Sequence, residues 1–476
     1  MLIRKPGNKT LTAILLILIF ASMIQITIIW GEDIKGFPFG LFSRGEDSSG
    51  GQLTLGSLFV PSSIYIGKGI EQPRYKLKEG SFETIWNDTG RYLVQIFKNE
   101  NISGRRSYPY SLDEWKKIVT RKGYYVTFPF DIEPDILRCL LGCSIDLSNI
   151  TGGIRAMAVL PWESVNPGIL NIYIRTAYEI YRFSLETADL NERKLIYDII
   201  IKESESSRAV QYHYLVESLP TSAFSFEING TLLITDDEST KEKDIAIGTR
   251  NSLDLQSSVN DDSYLNETAV KISNGNDTNY ITTKSADGTV TLKNINNVYR
   301  YYKEGVLEYA FISGISSRPE LNYGTMLSNI TEQINSFALY INTDAIFLSG
   351  ARKEKDLFVF TFDYICNGKP VAVDMPYADT RASNLIEITA NGSDVISFRL
   401  VPIQTFNVYE GIESRLDFVS LLDRLYLAIS QYPEFSMKFY ESVYLVRSIN
   451  NVGYLSPVWR IISFSNERYF VDKTVD

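Results

Sequence analysis

The chain contains a single histidine, His213, set between two tyrosines in Gln211-Tyr-His-Tyr-Leu215. A zinc hydrolase needs several neutral nitrogen or thiolate ligands, so a paired-histidine metal helix has nothing to be built from. A Ser-His-Asp triad could take His213 as its base, but the sequence has no G-x-S-x-G turn to present the serine. S-x-x-K and the phosphate-cradling G-x-x-x-x-G-K-[ST] loop are absent as well. His213 therefore reads as a strand residue rather than a catalyst. The three cysteines are Cys139, Cys143 and Cys366. The first two stand four apart on an expected helix, where a disulfide is geometrically poor, and all three read as small buried apolar residues. Asp236-Asp-Glu238 and Asp261-Asp262 lack the alternating oxygen ligands and central glycine of a calcium loop. Paired carboxylates remain the one acid–base option, as in a glycosidase, and nothing singles out a pair. No catalytic, metal-binding or cofactor-binding residue is assigned, and no cofactor is expected.

What must position the rest is a membrane segment. Leu11 to Trp30 is an uncharged run of twenty residues, which in helical geometry rises about 30 Å, the thickness of a bilayer's hydrocarbon core. Arg4, Lys5 and Lys9 precede it, and Glu32 and Asp33 follow. The positive-inside rule then keeps residues 1–10 in the cytoplasm and places the bulk of the chain outside a cell membrane crossed once. The run is longer than a cleavable signal's core, and its exit lacks a small-x-small cleavage pattern, which favours an uncleaved anchor. Residues 31–56, rich in glycine and serine, are expected to form a flexible tether.

The 476 residues carry a net charge of −10, with no Lys/Arg stripe, which argues against nucleic acid as a partner. A hydrophobic content of 44% and an aromatic content of 13% supply packed cores for two or three domains. The first is expected over 57–150. Ser111-Leu-Asp-Glu114 is a capping box opening a helix with Leu112, Trp115, Ile118 and Val119 on one face. Tyr124–Phe128 reads as a strand stopped by Pro129, and Pro134 opens the next helix.

A central region over 151–310 shows strand patterns at Ile154–Leu160, Ile169–Ile174, Tyr178–Leu185 and Ala209–Val216, with a helix near 190–203. Its acidic stretch 236–280 lacks a clear period and reads as a mobile insertion. In the third region, 311–476, Tyr323, Leu327, Ile330, Ile334 and Phe337 form a helix stripe. Asn367-Gly368 and Asn391-Gly392 suit two-residue hairpin turns, and a second helix is expected over Ile412–Gln431. The fold class is α+β, with antiparallel sheets and packed helices in three extracellular domains. The second and third share a loose order of elements, which leaves a duplicated fold open.

Several segments together resemble the YycH (WalH) family of membrane-anchored accessory proteins. They are Phe59-Val-Pro-Ser-Ser-Ile64, Ser111-Leu-Asp-Glu-Trp115 followed by Tyr125-Val-Thr-Phe-Pro-Phe130, and Tyr302-Lys-Glu-Gly-Val-Leu-Glu-Tyr309 with its G-x-LEY ending. Asn367-Gly-Lys-Pro-Val371 resembles the family's hairpin, and Leu455-Ser-Pro-Val-Trp-Arg460 with Arg468-Tyr-Phe-Val471 resembles the close shared with the sister protein YycI. The resemblance implies a non-enzymatic regulator of a sensor histidine kinase of the YycG/WalK type, acting beside a YycI-like protein in cell-wall homeostasis of a Gram-positive cell. It implies a YycI-like C-terminal domain and contacts between transmembrane helices. Ser22 and Gln25 share a helix face with Leu18 and Ala21, and such small and amide-bearing side chains let helices approach and hydrogen-bond in lipid. The alternative reading is a tethered glycan- or peptide-binding protein, or a carboxylate-based wall hydrolase.

Overall fold

The computed structural model describes residues 58, 61–69, 74–77, 102–141, 147, 150–161, 169–186, 194, 197–202, 205, 209–214, 227–228, 233–235, 243–253, 267–268, 272, 280–312, 322–338, 340–341, 346–366, 369–392, 394–413, 436–448, 454–455, 457–463 and 468–472. Among these, strands greatly outnumber helices and the pairing is mostly antiparallel, an α+β architecture. No helix among the described residues is long and apolar enough to cross a membrane. Leu11–Trp30, with Leu18, Ala21, Ser22 and Gln25, and the 31–56 tether lie outside the described residues.

The first sheet has nine strands, ordered Leu233–Thr235, Ala209–Tyr214, Arg74–Leu77, Ser63–Gly67, Gly123–Ile132, Ile154–Leu160, Ile169–Arg175, Glu179–Glu186 and Ile102–Pro109. Tyr124 pairs with Val159, so the sheet runs straight across residue 150, where sequence patterning divides the chain. Both of its faces are covered. Trp115, Ile118 and Val119 of the Leu112–Val119 helix pack with Tyr65, Tyr125 and Tyr212 on one side. Tyr65 and Tyr125 stack with centroids 4.5 Å apart, and the Tyr125 hydroxyl donates to that of Tyr212 at 3.0 Å. Ile136 and Leu137 of the Pro134–Leu141 helix join the core on the other side, with Met157 and Val159. Double coverage explains the near-continuous burial of Ile154–Leu160.

Only half of the expected capping box forms at the start of the Leu112–Val119 helix. Ser111 Oγ accepts from the Glu114 amide at 3.1 Å, while the Glu114 carboxylate turns outward to Lys117. Pro129 does not end the following strand, which runs from Gly123 to Ile132. Its register with Ile154–Leu160 shifts between Thr127 and Ile132, and at such an irregularity a proline's missing N–H leaves no ladder bond unmade. His213 lies on the Ala209–Tyr214 strand opposite Ile234. Cys139 and Cys366 are free thiols, each pushed above its ordinary pKa by burial; Cys143 lies outside the described residues.

The second sheet runs Ile281–Lys284, Val290–Lys293, Asn297–Tyr301, Leu307–Phe311, Asp394–Leu400, Ile386–Asn391, Leu357–Cys366, Lys369–Val373, Ser436–Val446, Pro457–Ser463 and Arg468–Asp472. Ile346–Glu354 also pairs with Leu357–Cys366. Leu307 pairs with Leu400, so this sheet crosses residue 310 as the first crosses 150. The Tyr323–Ser336 helix packs on its inner face through Met326, Leu327, Ile330 and Ile334, and Phe337 stacks edge-on against Phe398. This is the stripe its spacing predicts, and Asn322 caps it by accepting from the Thr325 amide at 3.1 Å. One continuous core joins the two sheets, where the Leu348 amide donates to the Leu58 carbonyl at 2.7 Å.

Three expectations change here. Cys366 pairs with Lys369, the register of a two-residue turn at 367–368, but Asn391 pairs with Asp394, so that turn falls one residue later than Asn391-Gly392. Gly392 takes its positive φ of 61° at the first central position, as primed hairpin turns demand. Within the acidic stretch 236–280, Lys243–Asn251 is a paired strand rather than a mobile loop. Ile247 and Thr249 alternate inward there, a short period-two signal drowned by acidic flanks. Its partner is Ile403–Glu413, which claims Ile412 and Glu413 for a strand; the remainder of the expected helix to Gln431 lies outside the described residues.

Candidate functional site

A concavity with convergent charge, about 230 Å³, lies on the outward face of the second sheet. Alternation builds it. Tyr299, Leu307, Ile388 and Phe398 point into the core, so their neighbours in sequence must point out. Cross-strand register then aligns Arg300 with Glu308, Glu308 with Arg399, and Arg399 with Glu387, a row of alternating charge across four strands. A second row of small residues, Val298, Ala310, Ser397 and Thr389, runs parallel to it and forms the floor. With strands about 4.8 Å apart, each row spans roughly 14 Å.

The wall charges are held in place. Glu308 accepts from the hydroxyls of Tyr302 and Tyr377, each at 2.7 Å. Burial, reinforced by the Glu308 carboxylate, pushes the Tyr302 hydroxyl up to about 12. Burial raises Tyr377 as well, with the Glu308 bond adding to it and Arg399 opposing, so both tyrosines stay neutral donors at ordinary pH. Glu387 Oε2 lies 3.5 Å from Arg399 Nη2 and 3.6 Å from Arg352 Nη2, shared between two guanidinium groups and hydrogen-bonded to neither. Arg399 Nε and Nη2 are buried without a hydrogen-bond partner.

A second polar cluster lies deeper. Asp363 accepts from the Leu385 amide at 3.1 Å and from Asn384 Nδ2 at 3.2 Å. Arg460 closes Nε and Nη2 on Glu441 Oε1. Burial works to lower the Arg460 pKa, but Glu441 and Asp363 together hold it above its ordinary value. Arg468 donates to the Ser383 carbonyl and has its pKa lowered by burial and then by Arg460. With its groups paired, this cluster ties strands together. Among the described residues no three His, Cys, Asp or Glu side chains gather as a metal ion would require.

Sequence reasoning named none of the concavity's wall residues as a site. Glu308 and Tyr309 did lie in the G-x-LEY element, and Tyr302 opens the same segment. Nothing in the sequence singles out Arg300, Glu387 or Arg399, because bringing them together depends on the long-range pairing of Glu308 with Arg399. Leu18, Ala21, Ser22 and Gln25, the expected helix-contact residues, lie outside the described residues.

The architecture defines a class first: α+β, two extended, mostly antiparallel sheets sharing one core. No protein-family model matches the sequence, and no curated protein matches it. Among solved structures, the fold is similar to the crystal structure of YycH from Bacillus subtilis, with a TM-score of 0.55 and 11% identity. The match covers 89% of this chain and 99% of that one. The chain thus has a YycH-like fold.

Proposed function

We propose that this chain is a non-enzymatic, membrane-anchored regulator of a sensor histidine kinase of the YycG/WalK type, working with a YycI-like protein in control of cell-wall metabolism. The observation that carries this reading is the YycH-like fold over nearly the whole length of both chains. The uncharged run Leu11–Trp30 supports it, since it suits a single-pass anchor with a cytoplasmic N-terminus and an extracellular body. Regulation requires that the protein interact differently with two kinase states. The helix face of Leu18, Ala21, Ser22 and Gln25 is the proposed point of contact, each cross-helix hydrogen bond contributing on the order of 1 kcal/mol. The test is the paired substitution Ser22→Ala and Gln25→Leu with a reporter of kinase output. Altered output with unchanged protein level supports the reading; unchanged output sinks the helix-contact mechanism.

The concavity favours a second role for the body, that of a tethered module that binds a small peptide or glycan. The two roles are compatible, because a ligand that binds one state of the body biases whatever the anchor touches.

A further inference from the structure

Among the described residues six arginines lie within 4 Å of a carboxylate, and three of them close the Nε/Nη2 edge on it. Arg155 sets Nε and Nη2 on the two oxygens of Asp131, both at 3.0 Å. Arg381 places the same pair on Asp374 Oδ1 at 3.0 and 2.6 Å, and Arg460 does so on Glu441. On Arg399 this edge is buried and unpaired: Nε and Nη2 have no acceptor, and the nearby Glu387 oxygen stays 3.5 Å from Nη2. A planar fork of this kind matches a carboxylate bidentately. A buried donor left unsatisfied is unfavourable, so an acceptor supplied from outside would be bound with unusual gain.

We propose that the concavity binds the terminal carboxylate of a short peptide with small side chains, closing on the Nε/Nη2 edge of Arg399. Arg399 has 12% of its side chain exposed, so the incoming carboxylate takes the place of Glu387 Oε2 beside it. Arg300, exposed two strands away across Glu308 in the same lining, adds a second positive charge at the rim. Val298, Ala310, Ser397 and Thr389 leave a floor that accepts methyl-sized side chains and offers hydroxyls to a peptide backbone. Glu308, fixed by Tyr302 and Tyr377, gives the site a pole of opposite sign, which orients a ligand and rejects a bare anion. The binding stands apart from the kinase reading and does not depend on it.

The test is calorimetric titration of the full-length chain in detergent with acetyl-alanyl-alanine, its C-terminal amide, and inorganic phosphate. The acid is expected to bind saturably, and the amide and phosphate at least tenfold more weakly. Arg399→Lys, which keeps the charge and loses the fork, is expected to weaken the acid at least tenfold. Ala310→Phe alters an exposed residue of the floor and should block binding with the thermal melt unchanged. Equal binding of acid and amide overturns the proposal, as does no saturable binding of the acid, or unchanged affinity in either folded variant. Equal or tighter binding of phosphate overturns the assignment to a peptide carboxylate. A reporter of kinase output plays no part in these readouts, so failure here leaves the regulatory reading untouched.

Discussion

The Tyr377 hydroxyl donates to Glu308 Oε1 at 2.7 Å, joining residues 69 apart in the chain. Tyr377 ends the short Met375–Tyr377 strand, which pairs with Thr380–Ala382 in a hairpin of its own. The bond therefore pins that hairpin beside the outward face of the sheet, and its ring meets Tyr302 edge-on at 5.1 Å. Tyr377→Phe removes the donor and keeps the ring. A hydrogen bond to a charged group contributes roughly 1.5–3 kcal/mol, so we expect Tyr377→Phe to lower unfolding stability by about 1–2 kcal/mol, measured by urea titration. A change within error would show that Tyr302 alone holds Glu308.

Alkaline pH should loosen the fold. Burial first, and nearby carboxylates second, push Tyr302 and Tyr323 from 10.0 up to about 12. Tyr108 is raised to about 12 by burial and then by Tyr173. A tyrosine whose folded pKa is raised holds its proton more tightly when folded, so the stability it lends is complete below pH 10 and is lost as pH climbs towards 12. Thermal melts should be level up to about pH 10 and fall between 10 and 12. Tyr323→Phe should flatten that fall, since the Tyr323 hydroxyl, 3.4 Å from Glu133, then no longer titrates.

The buried pair of Arg460 and Glu441 gives an asymmetric prediction. The two side chains are only 7% and 14% exposed, so removing one strands the other's charge. Arg460→Met should destabilise by about 3–5 kcal/mol, and adding Glu441→Leu should recover much of that loss. Chemical denaturation of the single and double variants checks it. Additive losses would mean the pair is solvated in solution.

Trp115 tests the first sheet. It is 2% exposed and meets Tyr125 edge-on, with Arg175 over its ring at 5.7 Å. Truncation to alanine opens a cavity and should cost about 3–5 kcal/mol. Fluorescence-detected unfolding should show the midpoint fall sharply, and an unchanged midpoint would contradict the packing described.

Local signals in the sequence were reliable where local physics decides the outcome. Ser111 capped its helix, Pro134 opened the next, and the stripe from Leu327 to Phe337 faced the core. Long-range pairing was not legible. Lys243–Asn251 looked acidic and aperiodic because its order comes from Ile403–Glu413, far along the chain. Strand partners are likewise chosen across residues 150 and 310, where sequence patterning alone shows no pairing. The concavity is the extreme case. Arg300 meets Glu308, and Glu387 meets Arg399, across local hairpins, but the two halves become neighbours only through the long-range pairing of Glu308 with Arg399, which leaves no spacing in the sequence.

The proposed role is a change in the activity of a sensor histidine kinase through residues 11–30. The most direct measurement is autophosphorylation of the purified YycG/WalK-type kinase in proteoliposomes, alone, with the full-length chain, and with the Ser22→Ala/Gln25→Leu variant. The account predicts a rate that changes severalfold with the native chain and returns towards the kinase-alone value with the variant. An identical rate in all three preparations, with the protein shown to be inserted, would contradict it.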